Sequence, residues 1–156
     1  MSASRASAWA RLAAGIVQRA PTRGFAPFSA AIAALAFPFA GARRRLALRN
    51  LAIFDGGRGD PEARRRLARD AARRLLENVL WTAWMGGRSD DELRGLFELR
   101  GVEENLRPAL ARGRGVVAVL FHLGHWEALA RAVAGVPGVE FATIYQPLRN
   151  ADADAL

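Results

Sequence analysis

Gly115-Val-Val-Ala-Val-Leu-Phe-His-Leu-Gly-His-Trp-Glu127 is the stretch whose reading decides the fold. Residues 115–121 form a short, unbroken apolar run rich in valine, and Arg112-Gly113-Arg114 before it reads as a turn. A strand covered on both faces, as in a parallel sheet, has this pattern. From Gly124 the period changes: Trp126, Leu129, Ala130, Val133 and Ala134 recur at helical spacing until Gly135. The spacing predicts a strand that ends at His122 and a helix that carries Glu127 near its first turn. In open α/β sheets ligand crevices lie at the carboxyl ends of strands, so chemistry is expected here.

The chemistry that suits this placement is general base catalysis. An imidazole, with an ordinary pKa of about 6.5, accepts a proton from an attacking hydroxyl at neutral pH. Glu127, five residues after His122, is placed to turn back and orient the ring, as the acid of a catalytic triad does. Gly124 between them allows close approach of a substrate to the backbone. On spacing alone, a structural histidine is the commoner reading of a His with an acid five residues on. No metal or cofactor is called for, and there is no cysteine or Gly-x-Ser-x-Gly nucleophile to form an acyl-enzyme.

The neighbourhood changes that balance. Phe121-His-Leu-Gly-His-Trp-Glu-Ala128 resembles the His-x4-Asp/Glu block of the lipid A late acyltransferases, the lauroyl and myristoyl transferases of the glycerolipid acyltransferase superfamily. Three further stretches agree in the right order. Arg44-Arg-Leu-Ala-Leu-Arg-Asn-Leu51 looks like the family's Arg-Asn block. Phe97-Glu-Leu-Arg-Gly-Val-Glu-Glu-Asn-Leu106 and Ala109-Leu-Ala-Arg-Gly-Arg-Gly115 look like its lead-in to the catalytic strand. Tyr145-Gln-Pro-Leu-Arg-Asn150 looks like its Tyr-Arg-Pro-x-x-Asn block. The resemblance implies His122 and Glu127 as the catalytic pair, and Gly124, His125, Trp126, Tyr145, Pro147 and Asn150 as substrate-binding residues. Two positions depart from the family: His125 stands where it often has Asn, and Gln146 where it usually has Arg. The second change removes a positive contact to an anionic substrate.

The composition is that of a folded chain: 51% of its 156 residues are hydrophobic. It has no cysteine, hence no disulfide framework, which fits a cytosolic compartment. The net charge is +8, and a basic excess suits an anionic membrane surface or nucleic acid. No helix–turn–helix pattern or aromatic RNA-binding box is present, so a nucleic-acid partner is not expected.

Residues 7–20 read as a short helix with Trp9, Leu12, Ala13, Ile16 and Val17 on one side. Between Arg23 and Arg43 lie nineteen uncharged residues, 24–42, including Phe25, Phe28, Ile32, Leu35, Phe37 and Phe39. A spanning helix needs about 20 apolar residues, and Pro27 and Pro38 shorten this one. A membrane-embedded or interfacial helix, a buried core helix and a signal peptide all fit, and the first is favoured. The arginines at 43–45 suit the cytoplasmic side of a membrane. Residues 43–54 read as another helix. Asp60-Pro61-Glu62 is a strong helix start, and the apolar stripe runs to about Met85 before Gly86-Gly87. Ser89-Asp90-Asp91-Glu92 is a capping box. Phe97–Arg100 is a possible short strand, Val102–Arg112 is expected to be helical, and 139–145 alternates as a strand parallel to 115–121.

These elements predict an α/β chain with two segments. Residues 1–42 form a helical, membrane-associated N-terminus, and residues 43–156 the first part of an acyltransferase α/β sheet domain. Two or three parallel strands cannot cover a sheet on both faces, so the chain is expected to be the N-terminal half of a longer enzyme. The resemblance implies transfer of a fatty acyl group from an acyl-carrier-protein or coenzyme A thioester to a hydroxyl of a membrane glycolipid, a lipid A precursor. The expected place is the cytoplasmic side of the inner membrane, against an anionic lipid surface. Two alternatives stand beside it: an acyltransferase for another lipid, such as a phosphatidylinositol mannoside, and a non-catalytic basic membrane-binding protein.

Overall fold

The computed structural model describes residues 3–121 and 124–144, with side chains from Ala8 onward. Among these residues seven α-helices run in chain order: α1 (Ala3–Arg19), α2 (Phe25–Ala36), α3 (Gly41–Phe54), α4 (Pro61–Met85), α5 (Asp90–Arg94), α6 (Arg107–Leu110) and α7 (Trp126–Ala134). Short 3-10 turns at Thr22–Gly24 and Phe37–Phe39 flank α2, and a π-helical turn at Val102–Leu106 leads into α6. The chain divides into two compact units. One is Ile16–Trp84, and the other combines Met1–Gly15 with Met85–Leu156.

Local chemistry accounts for the helix starts. Asp60 caps α4, accepting from the backbone N–H groups of Glu62 and Ala63 at 2.9 and 3.0 Å. Pro61 takes the first helical position, where a missing N–H costs nothing. Ser89 and Glu92 form a reciprocal capping box on α5, so donors otherwise orphaned at a helix start are satisfied. At Pro108 the helical reading of 102–112 resolves into the π-helical turn followed by the single turn of α6. Gly101 precedes that turn at φ 82°, in the left-handed region, and a Cβ there would press on the Asn105 side chain.

Within Ile16–Trp84 the core is a stripe of α2 and its following turn. Phe25, Ser29, Ala33 and Phe37 are buried at four-residue spacing, and Ala68 of α4 is buried as well. Phe25 meets Trp81 edge-on at 5.4 Å, and Trp81 meets Trp84 the same way at 5.5 Å. In the other unit Met85, Leu93, Ala128, Ala132 and Val136 are the buried apolar residues. There Arg131 of α7 donates Nη1 to the Met85 carbonyl at 3.1 Å and Nη2 to the Arg88 carbonyl at 3.0 Å.

The expected α/β class is overturned: no strand and no sheet occur among the described residues. Residues 115–121 and 139–144 carry neither helix nor strand, and Phe97–Arg100 carries no strand. The physical reason is pairing. Strand propensity measures fit to a pleated, half-buried surface, and a ladder needs a second backbone. Neither apolar run has a paired backbone among the described residues. Their side chains stand in solvent instead of between two layers: Val117 is 92% exposed, Phe121 81% and Ile144 100%.

Candidate active site

With no strand before it among the described residues, the candidate site is built on the N-terminus of α7. Gly124 enters at φ 63°, a left-handed conformation that glycine adopts without strain. His125 follows as the N-cap, with φ −100° and ψ 81°. Its Nδ1 accepts the backbone N–H of Ala128 at 3.2 Å. Cap residues are usually Ser, Thr, Asp or Asn, whose short side chains place an acceptor over the first turn. Here the imidazole does the same work. Trp126 is the first helical residue and is half-buried. Glu127 sits in the first turn, with Oε2 3.5 Å from Nδ1 of His125.

One nitrogen of His125 thus faces two partners with opposite demands. To accept from Ala128, Nδ1 must be unprotonated, and the ring proton then belongs on Nε2. To donate to Glu127, Nδ1 must carry a proton. The two arrangements exclude each other, and the cap geometry belongs to the first.

Of the residues expected at the site, Gly124, His125, Trp126 and Glu127 come together as one helix start. His122, Tyr145, Pro147 and Asn150 lie outside the described residues, as does Gln146. The expected neighbour of Glu127 was His122; among the described histidines its neighbour is His125. The capping role of His125 was not read from sequence, because histidine is not a usual cap residue. Its position immediately before the first helical residue was the available signal.

A cavity of about 240 Å³ lies in the same unit, lined by Leu93, Phe97, Val102, Arg107, Arg131 and Val136 among others. It touches α7 at Arg131 and Ala132, near the end of the helix, whereas Glu127 sits in its first turn. Its guanidinium groups already have protein acceptors. Arg94 bonds Asp91, Arg107 bonds Glu103 and the Pro137 carbonyl, and Arg131 bonds two carbonyls and Asp90. An anionic ligand would have to displace these contacts, so the cavity is not the candidate site.

The family model described as bacterial lipid A biosynthesis acyltransferase matches residues 2–156. The chain belongs to the bacterial lipid A biosynthesis acyltransferase family. That membership carries an acyltransferase-type function, with an acyl donor and a lipid acceptor in general terms. No curated protein matches the sequence, and no solved structure does.

Proposed function

We propose that this lipid A acyltransferase family member moves a fatty acyl group from an acyl-carrier-protein or coenzyme A thioester to a hydroxyl of a membrane glycolipid, a lipid A precursor. His122 removes the hydroxyl proton, and the oxygen attacks the thioester carbonyl directly. The thiol of the donor leaves as the ester forms, and the proton held on His122 returns to it. Glu127 orients His122 and stabilises its charged form. The reaction takes place on the cytoplasmic side of the inner membrane.

The observation that carries the assignment is the engagement of His125 Nδ1 by Ala128 N–H at 3.2 Å. An orienting carboxylate works by accepting the Nδ1–H of the base. His125 offers no such proton while it caps α7, so Glu127 is not its orienting acid in that state. The glutamate is 43% exposed at its side chain and lies five residues after His122. Gly124, His125 and Trp126 form the backbone turn beside the pair, and Tyr145, Pro147 and Asn150 supply the rest of the acceptor contacts. The 3.5 Å contact of His125 with Glu127 favours a second reading, in which His125 is the base and the cap opens during turnover.

Thioester consumption with a hydroxyl-bearing glycolipid acceptor, run separately with acyl-carrier-protein and coenzyme A donors, tests the reaction. Loss of transfer in His122→Ala with retention in His125→Asn supports the first assignment. The reverse pattern transfers the role to His125, and no transfer from either donor removes the proposal.

A further inference from the structure

The usual N-cap side chains keep their acceptor at neutral pH. Ser, Thr and Asn do not titrate there, and Asp does so only near a pH of about 3.9. Histidine is the side chain whose ordinary titration falls between about pH 5 and 8. In this chain α4 and α5 are capped by Asp60 and Ser89, whereas α7 is capped by His125. Protonation of that ring near neutral pH removes the acceptor itself.

Both contacts of His125 Nδ1 change together when a proton is added. The neutral ring accepts the Ala128 N–H at 3.2 Å. The charged ring carries a proton on each nitrogen and has no lone pair to offer. Two N–H groups then face one another, and the cap bond is lost. A positive charge at a helix N-terminus is also unfavourable, because the dipole is positive there. Glu127 supplies the counterweight. Its Oε2 is 3.5 Å from Nδ1, and a charge-assisted N–H···O bond closes to about 2.8 Å, so the move needed is small. The two side chains are 18% and 43% exposed, and such a pair is screened less than one in open water. Among the described residues Glu127 is the carboxylate in ion-pair contact with this ring. The ion pair of Arg131 with Asp90 lies one turn further along α7.

We propose that His125 is a positioning residue set by its own protonation: neutral, it caps α7 through Nδ1; charged, it releases the Ala128 N–H and holds Glu127 through Nδ1–H. This deepens the proposed function and rests on it only for the consequence at His122. A carboxylate already balanced by the His125 imidazolium stabilises a charge on His122 less, because the groups titrate as a coupled set. Acid therefore draws the orienting carboxylate away from the proposed base. Asparagine in the same place caps without titrating, so the device belongs to histidine at this position.

The sequence contains two histidines, so His125→Asn identifies the His125 signals by their loss. The full chain, with 15N in its histidine rings, is titrated by NMR from about pH 8 to about pH 5, without acyl donor or acceptor. The expected His125 ring carries its proton on Nε2 at the alkaline end and on both nitrogens at the acid end. Exchange of the Ala128 amide should match that of His125→Asn at the alkaline end. At the acid end it should be at least about tenfold faster than in that variant at the same pH. Glu127→Gln should lower the pH at which His125 titrates by about 0.5 or more. A ring proton on Nδ1 at the alkaline end would overturn the proposal, as would a ring that stays neutral throughout. So would Ala128 exchange that follows His125→Asn at every pH, or a His125 titration indifferent to Glu127→Gln. A His122 signal indifferent to Glu127→Gln would remove the catalytic pair alone, because the His125 signals are read separately.

Discussion

Arg64 holds Asp55 with two parallel bonds, Nε to Oδ2 at 2.6 Å and Nη2 to Oδ1 at 2.7 Å. This fork-to-fork pair closes the loop between α3 and α4, and both side chains are half-buried. The Arg64 hydrogen bond is the main cause holding the Asp55 carboxyl below its ordinary value of 3.8. A carboxylate depressed in the folded state contributes stability that is complete above its unfolded value and is lost as pH falls through the folded one. Asp55→Asn should therefore melt at a lower temperature than the parent at neutral pH. The difference should shrink as pH drops below 3.8, measured by circular dichroism melts across an acid series. A constant difference at all pH values would show that the carboxylate's charge is not the cause.

Gly59 belongs to the same clamp. A Cβ on residue 59 would run into Oδ2 of Asp55, so Gly59→Ala forces the carboxylate off Arg64. Gly59→Ala and Asp55→Asn should each destabilise, and their effects should be strongly non-additive in a double-mutant cycle. Simple additivity would mean that the glycine acts through something other than this carboxylate.

Ser29 is fully buried on the inner stripe of α2, and its hydroxyl finds no hydrogen-bond partner among the described residues. A buried unsatisfied hydroxyl costs on the order of 1–3 kcal/mol. Ser29→Ala removes that cost at almost the same volume and should raise stability by about 1 kcal/mol in urea unfolding. A loss of stability would show that the hydroxyl has a partner.

At the candidate site, His122→Ala should lower the acyl-transfer rate by about 10²–10⁴-fold, the usual worth of a general base. Glu127→Gln should also slow transfer, because a neutral amide does not stabilise the imidazolium. Both are read as thioester consumption after circular dichroism has shown that the variants fold. Unchanged turnover in His122→Ala would end the dyad assignment.

His125 separates capping from catalysis. An asparagine side chain also caps a helix N-terminus, so His125→Asn should keep transfer within about tenfold, or about 1.4 kcal/mol of barrier. His125→Ala loses the bond to Ala128 N–H and should destabilise by about 1 kcal/mol, seen in unfolding and in faster amide exchange at the start of α7. Equal stability of the alanine and asparagine variants would show that the cap has little weight.

The helices were legible in the sequence because their signals act over three or four residues. Asp60-Pro61-Glu62 starts α4, and Ser89 with Glu92 starts α5, since each cap bonds backbone within its own turn. The four blocks of family resemblance, which the match over residues 2–156 bears out, were equally readable in order along the chain. The valine run at 115–121 was read as a strand, and only the tertiary structure decided otherwise, because a ladder depends on a second backbone that local pattern cannot supply. The inner and outer faces of α2, the closure of Arg64 on Asp55, and the bonds of Arg131 to the carbonyls of Met85 and Arg88 were likewise decided by tertiary structure. Each joins groups brought together by packing or loop closure, and residue type alone does not specify which partner is met.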